Sequence, residues 1–561
     1  MPDHPKAHFS GIACRLEPVL FFGLLALMAA MLLVLGPLLT SDGPAHVSIA
    51  HFLRHAGDPA LPQLNRLLEP NPVPTPNAFG HLALAGLMFA LPPLQAEMAL
   101  QAACLLGIPL AARLVLRQIA PQSAWLALFF FPVALQRLFY LGLYNFSLSV
   151  VGFLLSLWAW LRLREQPGAG RMMVLSAMLL LTLACQASGW IEALAALLAM
   201  LTVEALAALR PNPAQRGANL REVRRLVVAT AVATLPSLGL FMVFAAKAGG
   251  NAPMVYGASP LERIWGVLLA APFATVGAIA PAAGLAATLA LLGLVAAGVV
   301  GLLRQWRRGE AVSTLPLALC TVPLALLALM LVVPDRAAGG WTHVARSQLF
   351  PYVGLALVAA ALPVAAWLRH AAMAVAAGGG LAVIGVAAWL QATQVPPVVA
   401  QFAEADARVG PHCTVVPVLG HYKLDRANTA RVIHHPTFHL AHRLQWHGDR
   451  PVLFSYAARL AVYPARFRPG MDPQLLLYGW EPLQGDTMVR ALDLPRWEAA
   501  TQMQVDYVLL WDVLADDAAG PHQGLRSSAL KGYGLVHRSA DGRLELYRRG
   551  GSGTGACAAP G

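Results

Sequence analysis

The chain has 561 residues, 57% hydrophobic and only 12% charged, and its mean hydropathy of +0.59 excludes an ordinary soluble globular protein. The formal net charge is +12, but the arginines fall in short clusters between apolar runs, as in the cytoplasmic loops of membrane proteins, which argues against a nucleic-acid partner.

Apolar runs near the length of about 20 residues that crosses a bilayer recur through the first two thirds of the chain. They lie at about Val19 to Leu39, Glu97 to Leu116, Ala124 to Tyr140, Phe146 to Leu163, Met172 to Cys185 and Ile191 to Leu209. Leu226 to Ala246, Leu285 to Leu303, Leu315 to Val333, Leu349 to Leu368 and Ala371 to Leu390 complete a set of about eleven. No small-residue cleavage signal follows the first run, so it reads as a retained span. Two further runs, Phe79 to Leu91 and Trp265 to Ile279, are short and edged by Pro or Gly. If neither crosses and the N-terminus is cytoplasmic, then Arg113 and Arg117, Arg162 to Arg171, Arg210 to Arg225, Arg304 to Arg308 and Arg369 all fall inside, the positive-inside pattern. Both short runs are therefore expected as helices lying at, or dipping into, the outer face.

Residues 1–391 thus form a membrane domain whose first outer loop is 40–78, and residues 392–549 return to soluble-type composition. This second part reads as a small α/β unit, with buried strands at Thr414 to Leu419 and Val505 to Trp511. Gly534 to His537 and Leu544 to Tyr547 flank Asp541-Gly542, a hairpin signal. Helices are expected at Pro495 to Gln504 and Gln523 to Leu530, and residues 550–561, rich in Gly and Ala, as a disordered tail. Cys413 and Cys557 share this part and can pair in an oxidising compartment, whereas Cys104, Cys185 and Cys320 sit in apolar segments.

The stretch that suggests chemistry is Thr40-Ser41-Asp42-Gly43-Pro44-Ala45-His46, directly after the first span. Either Ser41 or Asp42 caps the next helix, with Pro44 in its first turn, or Asp42 shares a space with His46 one turn later. In the second case Asp42 and His46 are candidate catalytic groups and candidate ligands of a divalent ion. His51 and His55 repeat the i, i+4 spacing. Glu69 to Asn77 carries four prolines, which forbid a helix and hold the chain extended. On the same face, Leu141 to Ser147 offers Tyr144 and Asn145, and Glu192 is an acid at the mouth of an apolar helix. Pro334 to Arg346, a second polar focus, contains Arg336, His343 and Arg346; a guanidinium at the outer start of a span can grip a lipid phosphate or snorkel to the headgroups. Seven of the 17 histidines lie between His412 and His447, including His434, His435, His439 and His442, and read as substrate contacts or surface groups.

Ser41-Asp-Gly-Pro-Ala-His46, Gly142-Leu-Tyr-Asn-Phe146 and the Gly339-Gly-Trp to Arg346 segment, set in this layout, resemble the C-type fold of polyprenyl-phosphate-dependent glycosyltransferases. The resemblance implies a multi-pass protein of a bacterial inner membrane, with a cytoplasmic N-terminus and a periplasmic C-terminal domain. It implies transfer of a sugar from a polyprenyl-phosphate donor to a periplasmic glycan, lipid or protein. Asp42 would be the general base, with a divalent metal ion in some members, and Arg346, then Arg336 and Lys247, would stabilise the departing phosphate. The family's second acidic motif has no clear counterpart; Glu69, Glu192 and Glu262 are its substitutes. The alternative is a non-catalytic scaffold of the same fold or a polysaccharide-assembly partner. A transporter needs acids or broken helices near the membrane centre, and the spans are nearly free of charge.

Overall fold

The computed structural model describes residues 11–209, 213–247, 254–269, 271–273, 275–310, 313–337, 342–425, 427–432, 434–455, 457–460, 462–478, 492–513, 525–550 and 557. Helix α1 (Gly11–Leu35) ends where Gly36 takes a positive φ of 77° and Pro37 follows, a stop built from a left-handed residue and a missing donor. The first loop then carries α2 (Gly43–Arg54), α3 (Pro62–Leu67), strand β1 (Leu68–Pro70) and α4 (Phe79–Leu87).

Long helices follow: α5 (Pro93–Ile119), a third span over Pro121–Tyr140, α8 (Tyr144–Glu165), α9 (Ala169–Cys185), α10 (Ala187–Ala208) and α11 (Pro213–Lys247). The third span is irregular, a 3-10 helix over Pro121–Phe129 followed by the short α6 (Phe130–Ala134) and α7 (Arg137–Tyr140). Pro132 cannot donate to the ladder, and the buried Gln136 side chain accepts from Leu138 N at 2.6 Å to restart it. Irregular backbone at this depth is tolerated because protein groups satisfy it. After α12 (Pro260–Leu268) come α13 (Ile279–Arg307), α14 (Thr314–Val332), α15 (His343–Ser347) running into α16 (Leu349–Ala361), and α17 (Ala366–Trp389).

Ten of these segments are long and apolar enough to span a membrane, and α9 is a shorter apolar helix of 17 residues. Together they match the expected spans one for one. The two doubtful runs form α4 and, at its start, α12, of nine residues each; at about 1.5 Å per residue, roughly 14 Å, neither crosses. A capping box between Ser259 and Glu262 sets the start of α12. Arg113 pairs with Glu17 at 3.0 Å and Arg164 with Glu204 at 2.7 Å. Both pairs lie at the end of the bundle remote from the first loop, so the basic loops gather at one end, as their positions in the sequence require.

At the other end sits the C-terminal part: α18 (Pro396–Asp406), β2 (Val415–Leu419), a 3-10 helix over Leu440–His447, β3 (Ala465–Phe467), α19 (Pro473–Leu476), α20 (Leu494–Thr501), β4 (Tyr507–Trp511), α21 (Leu525–Ala529), β5 (Tyr533–Arg538) and β6 (Leu544–Arg549). Four strands form one sheet in the order β2-β4-β6-β5. β2 runs parallel to β4, with Val415 opposite Tyr507, and the other neighbours are antiparallel. β2 and β4 are buried along their whole length, and the Asp541-Gly542 turn joins β5 to β6. Cys413 and Cys557 form a disulfide; the rest of the tail expected to be disordered, 551–556 and 558–561, lies outside the described residues.

The protein is therefore an α-helical polytopic membrane protein with a small C-terminal α/β domain. Each part has its own apolar core, but Leu39, Ile49, Phe52, Leu61, Leu64, Leu67 and Leu68 of the first loop pack into the C-terminal core. Strand β1 also pairs antiparallel with β3, Leu68 opposite Phe467. The proline-rich stretch is extended for the reason read from its prolines, and it begins in a strand that belongs to the distant domain.

Candidate functional site

The segment that presents Asp42 is held by side chains from two spans. Gln101 of α5 treats Leu38 as a neighbouring strand would: its Oε1 accepts from Leu38 N at 2.8 Å and its Nε2 donates to Leu38 O at 2.8 Å. Gln391, just past α17, accepts from Leu39 N at 3.1 Å and donates to Pro37 O at 2.9 Å. The next residues dock on the turn before α8, where Ser41 N donates to Tyr140 O at 3.0 Å and Asp42 N to Leu141 O at 3.1 Å. These bonds satisfy the backbone between α1 and α2 where water is scarce.

Asp42 is the N-terminal flanking residue of α2, but its side chain makes no capping hydrogen bond. The hydroxyl of Thr40 accepts from Gly43 N at 3.2 Å instead. The carboxylate, about 10% exposed, has Oδ1 3.7 Å from Nε2 of the fully buried His439. Burial, with His442 and His46 nearby, holds His439 well below the usual imidazole range, so the partner is a neutral ring.

Behind Gly43 lies a chain of polar groups. Tyr144 donates its hydroxyl hydrogen to Glu97 Oε1 at 2.7 Å, receives a bond from Gln101 Nε2 at 2.7 Å, and meets Thr40 Oγ1 at 2.8 Å. Arg443, half-buried in the 3-10 helix of the C-terminal domain, interacts electrostatically with Glu97 and Tyr144. Burial lowers its pKa from the usual guanidinium value and the two partners oppose that shift. The C-terminal domain also roofs the site: Trp446 Nε1 donates to Pro44 O at 3.1 Å, Ser48 Oγ to His442 O at 3.0 Å, and His435 N to Ser41 Oγ at 3.1 Å.

The structure thus brings Asp42, His46, Tyr144 and Asn145 together. His46 is less than 10% exposed and has both ring nitrogens engaged, Nε2 with Gly142 O at 2.9 Å and Nδ1 with His81 Nε2 at 2.8 Å. Asn145 binds the start of α4, accepting from Gly80 N at 2.6 Å and donating to Asn77 O at 2.7 Å. His55 donates from Nδ1 to His51 O at 2.9 Å, an intrahelical bond.

Glu192, Arg336, His343 and Arg346 form a second focus. Arg263, 2% exposed, pins it by donating to Met330 O at 3.0 Å and pairing with Asp335 at 3.2 Å. Arg336 O accepts from Val255 N at 3.1 Å, and His343 Nε2 lies 3.4 Å from Ala337 O. Glu192, 1% exposed, faces Ser347, the residue after Arg346. The expected Gly339 to Trp341 segment lies outside the described residues. Phe146 meets Phe350 at 6.0 Å between ring centroids, which puts the starts of α8 and α16, and so both foci, at one end of the bundle. Lys247 is exposed at the end of α11.

Sequence reasoning missed Glu97, Gln101, His81, Gln391 and Arg443. The signal for Glu97 was the one used for Glu192, an acid in the first turns of an apolar helix. His439 was noted only as one of a histidine-rich group.

No protein-family model matches the chain, and no curated protein matches it. Among solved structures it is similar to that of ArnT from Cupriavidus metallidurans bound to undecaprenyl phosphate, at 12% identity and a TM-score of 0.49, covering 97% of this chain and 99% of that one. It is also similar to the oligosaccharyltransferase of Archaeoglobus fulgidus tethered with an acceptor peptide containing the NVT sequon, at 13% identity and a TM-score of 0.40, covering 94% of this chain and 74% of that one.

Proposed function

We propose that the protein is a membrane glycosyltransferase that moves a sugar from a polyprenyl-phosphate donor to an acceptor at the face carrying the C-terminal domain. In a bacterial inner membrane that face is the periplasmic one. The observation that carries the reading is the Asp42 carboxylate. It sits at the junction of two span ends and the C-terminal domain, is left out of helix capping, and is backed by a neutral imidazole 3.7 Å away.

The proposed step is an inverting displacement. An acceptor hydroxyl attacks the anomeric carbon while Asp42 takes its proton. The bond from that carbon to the phosphate oxygen breaks, and the phosphate leaves with the electron pair. Fixed cations meet the charge that develops on it: Arg346 at the start of α16 is the first candidate, with Arg336 and Lys247 behind it. A divalent ion, where one is bound, would be held by Asp42 and His439, whose Oδ1 and Nε2 lie 3.7 Å apart, and would supply polarisation of the acceptor hydroxyl. Asp42 with His46 does not fit, because both His46 nitrogens already have partners.

The test is release of polyprenyl phosphate from polyprenyl-phosphate sugars by the purified protein in lipid nanodiscs, with membrane glycans as acceptors. Asp42→Asn is expected to lower release by about 100-fold or more with an unchanged thermal unfolding midpoint. Full activity in that variant would remove Asp42 from the mechanism, and no release by the parent protein would favour the scaffold reading.

A further inference from the structure

We propose that His81 and Asn145, acting through His46, form a hydrogen-bonded chain that positions Asp42, and that both histidines carry their proton on Nε2. The assignment follows from counting protons. Gly142 O is only an acceptor, so His46 Nε2, 2.9 Å away, must donate to it. A neutral His46 then has a bare Nδ1, and the nitrogen 2.8 Å from it, His81 Nε2, must donate. His81 Nδ1 is in turn bare and requires a donor. Asn77 O at 3.2 Å cannot supply one, but Asn145 Nδ2 at 3.4 Å can. The other hydrogen of that amide goes to Asn77 O at 2.7 Å, and Asn145 Oδ1 accepts from Gly80 N at 2.6 Å. The amide has only one orientation that allows this, and it leaves the 3.2 Å approach of His81 Nδ1 to Asn77 O as a contact without a proton.

A third proton would turn His81 Nδ1 into a donor to Asn77 O and leave a cation among buried groups. Burial opposes it, pushing His46 down to about 4 and His81 well below the usual range. The histidine rings are also packed, His46 stacking on Tyr463 at 6.2 Å and His81 lying edge-on to it at 5.4 Å.

The chain of bonds reaches Asp42 along the backbone. His46 holds Gly142 O; the same turn accepts Asp42 N through Leu141 O, and His46 N donates to Asp42 O at 3.0 Å. The chemistry thus depends on α4, which touches no reacting group. A misplacement of about 1 Å at a reacting carboxylate costs about 100-fold in rate.

The activity readout rests on the glycosyltransferase reading, so the experiment has a second arm that does not. His81→Gln keeps an amide nitrogen where Nε2 stood and still donates to His46; His81→Asn ends a bond short and does not. With the same polyprenyl-phosphate sugar assay, His81→Gln is expected within about threefold of the parent and His81→Asn about 100-fold down in kcat. The donor KM and the unfolding midpoints of the two variants should agree. Equal activity in the two variants overturns the positioning role. In the second arm, solid-state nitrogen NMR of histidine-labelled protein, compared among the parent, His46→Gln and His81→Gln, reports the tautomers. Nε2–H on both imidazoles supports the hydrogen-bonded chain whatever the enzyme transfers, and Nδ1–H or an imidazolium on either one overturns it.

Discussion

Two glycines at the site have no room for a side chain, for different reasons. Gly142 has a φ of 85°, and a Cβ there would stand 2.7 Å from Asp42 N and 2.9 Å from Asp42 Cβ. A Cβ on Gly43 would collide with Glu97 Oε1, Thr40 Oγ1 and the Tyr144 hydroxyl. Gly142→Ala combines backbone strain of about 1–2 kcal/mol with displacement of Asp42. It is expected to lose transfer as fully as Asp42→Asn while also lowering the unfolding midpoint by a few degrees. Gly43→Ala should lower stability by about 1–3 kcal/mol through overpacking, because Glu97 and Tyr144 are tied to each other and cannot swing away. Differential scanning fluorimetry beside the transfer assay separates the two effects; unchanged activity in Gly142→Ala would show that Asp42 is not seated by this turn.

Among elements, the junction that matters joins the first loop to the C-terminal domain. Asp449, fully buried, accepts from Gln63 N at 2.9 Å and Leu64 N at 2.7 Å, capping α3 from another part of the chain, and receives a third bond from His412 at 3.1 Å. Asp449→Ala strands the amides of Gln63 and Leu64, the second of them buried, and at about 1–3 kcal/mol for the buried one it should release α3 and β1. Limited proteolysis, expected to cut near the exposed Gly57, checks this; an uncut loop would place the anchor elsewhere. The spans, the four-stranded sheet and its hairpin were legible in the sequence, because apolar run length and β-rich runs are local signals. The β1–β3 pair was not: each strand has three residues, and their register joins Glu69 to Arg466 with nothing between them to announce it. The same limit divides the site. Asp42, His46, Tyr144 and Asn145 stand out as polar residues at span boundaries. Glu97, Gln101 and Gln391 look like ordinary polar residues near helix ends until the backbone they hold is in view, and His439 and Arg443 arrive from about 400 residues away.

At the scale of the whole molecule, six buried histidines among the described residues lie outside the spans and are held neutral. Burial pushes His46 and His51 down to about 4, His434 and His442 to about 3, and His81 and His439 well below the usual range. Unfolded, these groups titrate near 6.5, so between that pH and their folded values the unfolded chain binds more protons. Their contribution is complete above pH 6.5 and falls as pH drops towards 4. His447 acts oppositely, since its hydrogen bond to Asp406 raises its pKa; its side chain is 57% exposed and its effect is screened. The unfolding midpoint is therefore expected to drop steeply between pH 6.5 and 4.5, and a flat profile would mean that the histidines are not buried as described. The β1–β3 pairing also orders the protein's assembly in time. Glu69 and Arg466 are 397 residues apart, and a ribosome adding about 5–20 residues per second needs about 20–80 s to cover that interval. During that time the first loop has left the ribosome while its partner strand does not yet exist. Asp42 gains its roof only after the last span has been made, so a chain interrupted there inserts in the membrane with an unfinished site.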